Sequence, residues 1–227
     1  MWAICLNEFK GHFKSVKSII VILMIFGITY LFADFMTLAA GQLDLGVESD
    51  KYALGTLLIV YGLGFLFIAG LSHDLINREV SSRTMRFLVT KTTRTKILLG
   101  KYLGVWFFWL FCITVCYILV ALISKDFLWL GIIDSMLFLS VALALNLIFS
   151  TLFSKPSISM FFGIVFALVF PSFSFWSIHA DNVYTNWFKF ITPYYYSTLG
   201  SYYILINLFY TVILLFLALE LFKRRDL

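Results

Sequence analysis

Asp34 and Asp134 each stand inside a long apolar run, where little else can solvate a charge. A carboxylate kept in such a place can bind a cation, carry a proton or line a watered path. Its plainer uses are a hydrogen bond between helices or a reach to the nearby interface. Asn146 and Asn207 are further polar groups within apolar runs, and Asp34, Asp134 and Asn207 are the candidates for a polar path. Cys112 and Cys116 are four apart, on one helix face, but no histidine or third cysteine accompanies them. With Cys5 they read as small packing residues rather than as a disulfide or metal set. His12, His73 and His179 fall in separate segments. The nearest approach to a phosphate-cradling loop, TKILLGKY from Thr95 to Tyr102, lacks the first glycine and the hydroxyl residue, so ATP is not bound by that route. H-E-x-x-H and G-x-S-x-G are absent too, which leaves an intramembrane enzyme as the weakest reading.

The elements that must position these residues follow from composition. The chain is 62% hydrophobic and 13% charged, whereas globular domains sit near ~45–50% and ~25%. Such a chain has too little polar surface to cover a core in water, and it reads as an all-α integral membrane protein. Six stretches supply the roughly 20 apolar residues needed to cross ~30 Å of hydrocarbon: Ser18–Ala40, Ala53–Ser72, Tyr102–Ser124, Phe127–Phe153, Ile158–Trp176 and Tyr202–Phe222. Pro171 is expected to interrupt the fifth near one end. Asp34 and Asp134 would each lie roughly 10 Å from the outer boundary. The first stretch ends in Leu38-Ala39-Ala40, faintly like a cleavage site, but its length suits a retained span.

Fourteen Lys and Arg residues fall on one side of this plan and three, Lys51, Lys125 and Lys189, on the other. Asp44, Glu48, Asp50, Asp126 and Asp181 accompany those three. By the positive-inside rule both termini are cytoplasmic in a multi-pass cell-membrane protein. The net charge of +5 therefore follows topology and does not call for nucleic acid. The whole chain, 1–227, is one transmembrane domain with three appended segments. Residues 1–17 have an apolar stripe at Trp2, Cys5 or Leu6, Phe9, Phe13 and Val16, with Lys10, Lys14 and Lys17 off it; this pattern predicts an amphipathic helix on membrane lipid. Residues 171–203 are rich in aromatics and predict short helices resting on or dipping into the outer interface. Gly55, Gly62 and Ala69, seven apart in span two, predict one small-residue face for a close helix neighbour.

The third segment, 73–101, carries seven of the seventeen basic residues. His73–Thr90 has no Gly or Pro, and Asp74 before Arg78 and Glu79 before Arg83 stand at the i,i+4 spacing that supports a helix. Ile76, Val80, Phe87 and Leu88 share an arc on which Arg83 intrudes. Topology needs only a few cations, so the length suggests a docking surface. In order come Glu79, Arg83-Thr84, Phe87-Leu88, a basic turn with Thr93-Arg94, and Leu98-Leu99-Gly100-Lys101 opening the third span. This order resembles the cytoplasmic segment after the second helix in the type-two ABC exporter permeases, although Thr92 stands where that family often has proline. The six-span plan, the amphipathic N-terminal helix and an outer segment with Pro193 are also similar.

The resemblance implies a coupling helix, with Glu79, Arg83, Thr84, Arg86, Phe87 and Leu88 docking a separate ATPase that holds ATP and magnesium, this chain having no cofactor itself. It also implies two ATPase copies, a second permease copy or a related permease, a bacterial membrane, and an amphipathic peptide, lipid or antibiotic-like cargo. A non-transporting membrane sensor or assembly subunit, docking a cytoplasmic partner through the same loop, stays open at this point.

Overall fold

The computed structural model describes residues 1–43, 49–179 and 185–225; the outer acids Asp44, Glu48 and Asp181 lie outside them. Among the described residues there is no strand, and six helices are long and apolar enough to cross a membrane. The chain is an all-α, multi-pass, membrane-embedded bundle.

Helix α1 (Trp2–Lys14) ends at Ser15, whose extended backbone (φ −80°, ψ 126°) turns the chain into α2 (Val16–Leu43). After the short α3 (Ser49–Tyr52), span two runs as α4 (Leu54–Leu57), a π-helical stretch Leu58–Leu63 and α5 (Gly64–Ser72). The π stretch takes up an extra residue, so the seven-residue spacing of the small residues does not hold one face. A Cβ on Gly55 would come 2.5 Å from Phe32 of α2. Ala69 instead meets Gly163 of the fifth span, where an added Cβ would lie 3.2 Å from the alanine methyl. Gly62 has open space around it.

The basic connection forms α6 (Asn77–Ser81) and α7 (Met85–Lys91), not the unbroken helix its residues suggest. Arg83 sits between them at φ 61°, in the left-handed region. Hydroxyl groups account for the break. Ser81 Oγ donates to the Arg78 carbonyl at 2.9 Å, and Ser82 Oγ and Thr84 Oγ1 each reach the Glu79 carbonyl at 3.3 Å. Such side chains compete with the helical ladder and end it.

Span three is α8 (Arg94–Ser124), whose 31 residues make roughly 46 Å. It exceeds the ~30 Å hydrocarbon thickness, so its first turns project beyond the apolar layer. Then come α9 (Trp129–Leu152) and α10 (Pro156–His179). Pro171 does not interrupt α10; the helix runs through it to His179, so 171–179 belong to the span rather than the outer segment. Beside the proline, Ser172 Oγ donates to the Leu168 carbonyl (2.8 Å) and Ser174 Oγ to the Phe170 carbonyl (2.6 Å), while the ladder bond the proline removes is the one to the Ala167 carbonyl. The outer segment is a 3-10 turn Phe188–Ile191, α11 (Pro193–Leu199) opened by a proline at its first position, and a 3-10 turn Ser201–Ile204 leading into α12 (Leu205–Arg224).

Helix α9 is the pillar of the bundle. Its apolar window is 67% buried, against 17% for α2 and the last span, and α5, α8, α10 and α12 all pack on it. Its core face is largely small or aliphatic, with Leu139, Ala142, Leu143, Ala144 and Leu147 buried beside one aromatic, Phe138. Leu23, Leu31 and Phe35 of α2, and Phe209 and Phe216 of α12, point outward, as a lipid-facing surface should.

Candidate functional site

Two polar assemblies interrupt this apolar bundle, one at each end. The first gathers α1, the basic connection and the head of α8. Helix α1 turns its buried side, Cys5, Glu8 and His12, onto α8 and leaves Trp2 and Leu6 exposed. Two glycines a turn apart make that approach close. A Cβ on Gly104 would lie 2.7 Å from both the Cys5 carbonyl oxygen and Glu8 Cβ, and one on Gly100 would lie 3.1 Å from the Met1 carbonyl oxygen. Small residues four apart are what allow two backbones to approach so closely. The spacing G-K-Y-L-G is visible in the sequence, and it is the signal that locates this contact.

Lys101 stands between those glycines, fully buried. Its Nζ donates to Glu8 Oε1 at 2.5 Å and lies 2.7 Å from Glu79 Oε1. Arg78 extends the cluster, 3.7 Å from both Glu8 and Asp74. The Asp74–Arg78 pair is the one the spacing predicts. Glu79, however, turns away from Arg83 and inward to Lys101. Burial pushes the neighbouring His12 imidazole below its ordinary range, although Glu8 pulls the other way; the ring stacks on Phe108.

The base of the connection is fixed as firmly. Ser150 Oγ of α9 accepts from the Ile76 N–H (2.8 Å) and the Asn77 N–H (3.3 Å), and Ser159 Oγ of α10 donates to the His73 carbonyl (2.8 Å). Leu75, Ile76, Asn77 and Met85 are buried. Two arginines close the helix ends nearby. Arg94 Nη1 lies 2.7–2.9 Å from the carbonyls of Phe222, Lys223 and Arg225 at the end of α12. Arg225 donates to the carbonyls of Ser150, Thr151 and Phe153 at the end of α9. Cations there meet the negative ends of the helix dipoles.

Beyond this base the segment is open to solvent. Arg83, Thr84 and Arg86 are exposed, and Phe87 is 72% exposed; Leu88 is half-buried against the core. Of the six sequence candidates, four therefore share a free surface, while Glu79 and Leu88 face inward.

The second assembly lies at the other end. Tyr61, inside the π stretch, donates its hydroxyl to Asp134 Oδ2, and Ser197 of α11 donates to Asp134 Oδ1 at 3.0 Å. Asn207 of α12 donates through Nδ2 to Ser197 Oγ (3.2 Å) and to the Pro193 carbonyl (3.4 Å). Tyr194 Oη donates to the Tyr61 carbonyl at 2.9 Å. Four elements thus converge on one carboxylate. Two of the three candidates for a polar path, Asp134 and Asn207, share this network. Asp34 does not; it is exposed on α2. Ser197 goes unnoticed in sequence because the outer segment is crowded with Tyr and Ser, and Tyr61 because nothing local marks it within span two.

Asn146, the remaining polar residue within a span, donates to the Ile68 carbonyl at 3.3 Å. Cys112 and Cys116 are buried in the apolar core. Compared with models of known families and with curated proteins, the sequence matches none.

Proposed function

We propose that this chain is the permease subunit of an ATP-driven ABC exporter. It would work with its basic end in the cytoplasm of a bacterial cell and move an amphipathic peptide, lipid or antibiotic-like molecule outward. ATP and magnesium would be held by a separate ATPase, in two copies, and a second permease, identical or related, would complete the pathway.

One observation carries this reading. The connection between the second and third spans presents exposed Arg83, Thr84, Arg86 and Phe87, while its base is bonded to α9 through Ser150 and to α8 through Glu79 and Lys101. A loop that served topology alone would need only its charges. A loop that receives a push needs a free contact surface on a stiff root, and this one has both.

The test is purification of the tagged chain in mild detergent, with and without the double reversal Arg83→Glu and Arg86→Glu. Both side chains are exposed, so the reversal should cost less than about 0.5 kcal/mol of fold stability. The expected result is a stoichiometric P-loop ATPase with the wild type and its loss with the double variant. Glu79 is left untouched because reversing it would also strike Lys101. Repeated purification without an ATPase, even after crosslinking, would remove the exporter reading and favour a docking subunit that transports nothing.

A further inference from the structure

The hydrogen bonds around Asp134 all point one way. Asn207 Nδ2 donates to the Pro193 carbonyl, which can only accept, so the orientation of the amide is fixed. The same nitrogen donates to Ser197 Oγ and leaves that hydroxyl's proton for Asp134 Oδ1. Tyr61 gives its proton to the other oxygen, Oδ2. Both carboxylate oxygens thus receive donors, an arrangement that suits the ionised form. Yet among the described residues no Lys, Arg or His forms an ion pair with Asp134. A carboxylate part-buried in an apolar bundle, with donors on both oxygens and no counter-cation, is costly to keep ionised. It contrasts with the other end of the bundle, where Glu8 and Glu79 share Lys101.

We infer that the missing counter-charge comes from the ligand, and that Asp134 receives the ammonium group of a cationic amphipathic molecule. The surroundings suit that chemistry. The Tyr61, Phe138 and Tyr194 rings pack within 4.8–6.4 Å of one another beside the carboxylate, and aromatic faces attract cations. Phe65 and Phe170 continue the apolar layer past Tyr194. Tyr194 and Ser197, both on α11, tie the outer segment to this point, so that segment closes over the bound headgroup. The inference deepens the exporter reading by giving the cargo its charge class, but binding at Asp134 needs neither ATP nor a partner.

The experiment therefore uses the purified full chain alone, in nanodiscs of zwitterionic lipid, with empty discs subtracted. The probe is a dansyl-labelled long-chain diamine with one free ammonium end, compared with its N-acetylated, uncharged counterpart. The wild type should bind the ammonium form about tenfold more tightly, the range of a close, desolvated charge pair. Asp134→Asn, which keeps shape and one acceptor, should bind both probes equally. Asp126→Asn, at an exposed outer acid, should match the wild type. No ammonium preference in the wild type, or a preference that survives Asp134→Asn, overturns the inference. Neither outcome bears on ATPase co-purification, so the two proposals fail separately.

Discussion

Replacing Lys101 by methionine removes the cation that two acids share, and the structure sets the size of the effect. Lys101 is wholly buried, Glu8 nearly so, and Glu79 only slightly exposed. Two carboxylates that reach one nitrogen are within about 5 Å of each other, and with that nitrogen gone they repel by about 3 kcal/mol at an effective dielectric of 20. Arg78, at 3.7 Å from Glu8, offsets a fraction of this. The total should lie in the range of ~3–5 kcal/mol found when one member of a buried pair is deleted. In a chain of this size that is a fall of roughly 10 °C in Tm, read by tryptophan fluorescence during thermal unfolding in one detergent. Glu8→Gln leaves Lys101 its bond to Glu79 and should cost less, about 1–2 kcal/mol. The triple variant Glu8→Gln/Lys101→Met/Glu79→Gln removes all three charges and should recover most of the loss, because a neutralised site no longer strands a charge. If Lys101→Met unfolds within about 2 °C of the wild type, or if the triple variant is no better than the single, then the cluster does not hold α1 and the basic connection to α8.

Gly104→Val should force α1 off α8, since its first added carbon would already lie 2.7 Å from the Cys5 carbonyl oxygen; the expected loss is ~1–3 kcal/mol, with faster proteolysis within residues 1–17. Gly200 has φ 62° and ψ −162°, a region essentially closed to other residues, so Gly200→Ala should cost ~1–3 kcal/mol although open space surrounds it. His12 has its folded pKa lowered by burial, so the unfolded chain binds the proton more readily. The stability contributed by His12 is present above about pH 6.5 and lost as pH falls below it; the protection of α1 amides relative to their intrinsic exchange rates should fall on acidification in the wild type and not in His12→Phe. Ser150→Ala removes the acceptor for the Ile76 and Asn77 amides and should cost ~1–3 kcal/mol, with the change in exchange protection concentrated at residues 73–81.

The spans are legible in sequence because crossing a membrane sets a length and a composition that few other demands imitate. Their ends are less so. Arg94 and Lys96 read as loop cations, yet they belong to the first turns of α8, since a helix does not stop where lipid stops. Pro171 reads as a break, but α10 runs through it to His179. The π stretch around Tyr61 has only Gly62 and Gly64 to suggest it. At the basic end, Glu79 and Lys101 are each marked by the sequence, but the second acid on Lys101 is Glu8, 93 residues before it. Spacing along one chain carries no information about a contact that distant. The glycine pair on α8 does carry some, and it points to the same contact.

Under the proposed function, α9 is the element through which docking and binding would communicate. Near one end, Ser150 holds the Ile76 and Asn77 amides and Arg225 caps the final carbonyls. Toward the other end, Asp134 receives Tyr61 and Ser197. The two points are roughly 24 Å apart on one continuous helix, which is the most buried of the six. A close-packed helix of this kind moves as a rod rather than bending, so a displacement of its basic end by the docked segment must appear at the carboxylate. Span two, by contrast, carries Tyr61 within its π stretch, and a π segment is where a helix changes register most readily. One rigid helix and one with a built-in irregularity therefore meet at Asp134 and Tyr61. A push that moves them unequally changes that contact first, and with it the hold on a cation.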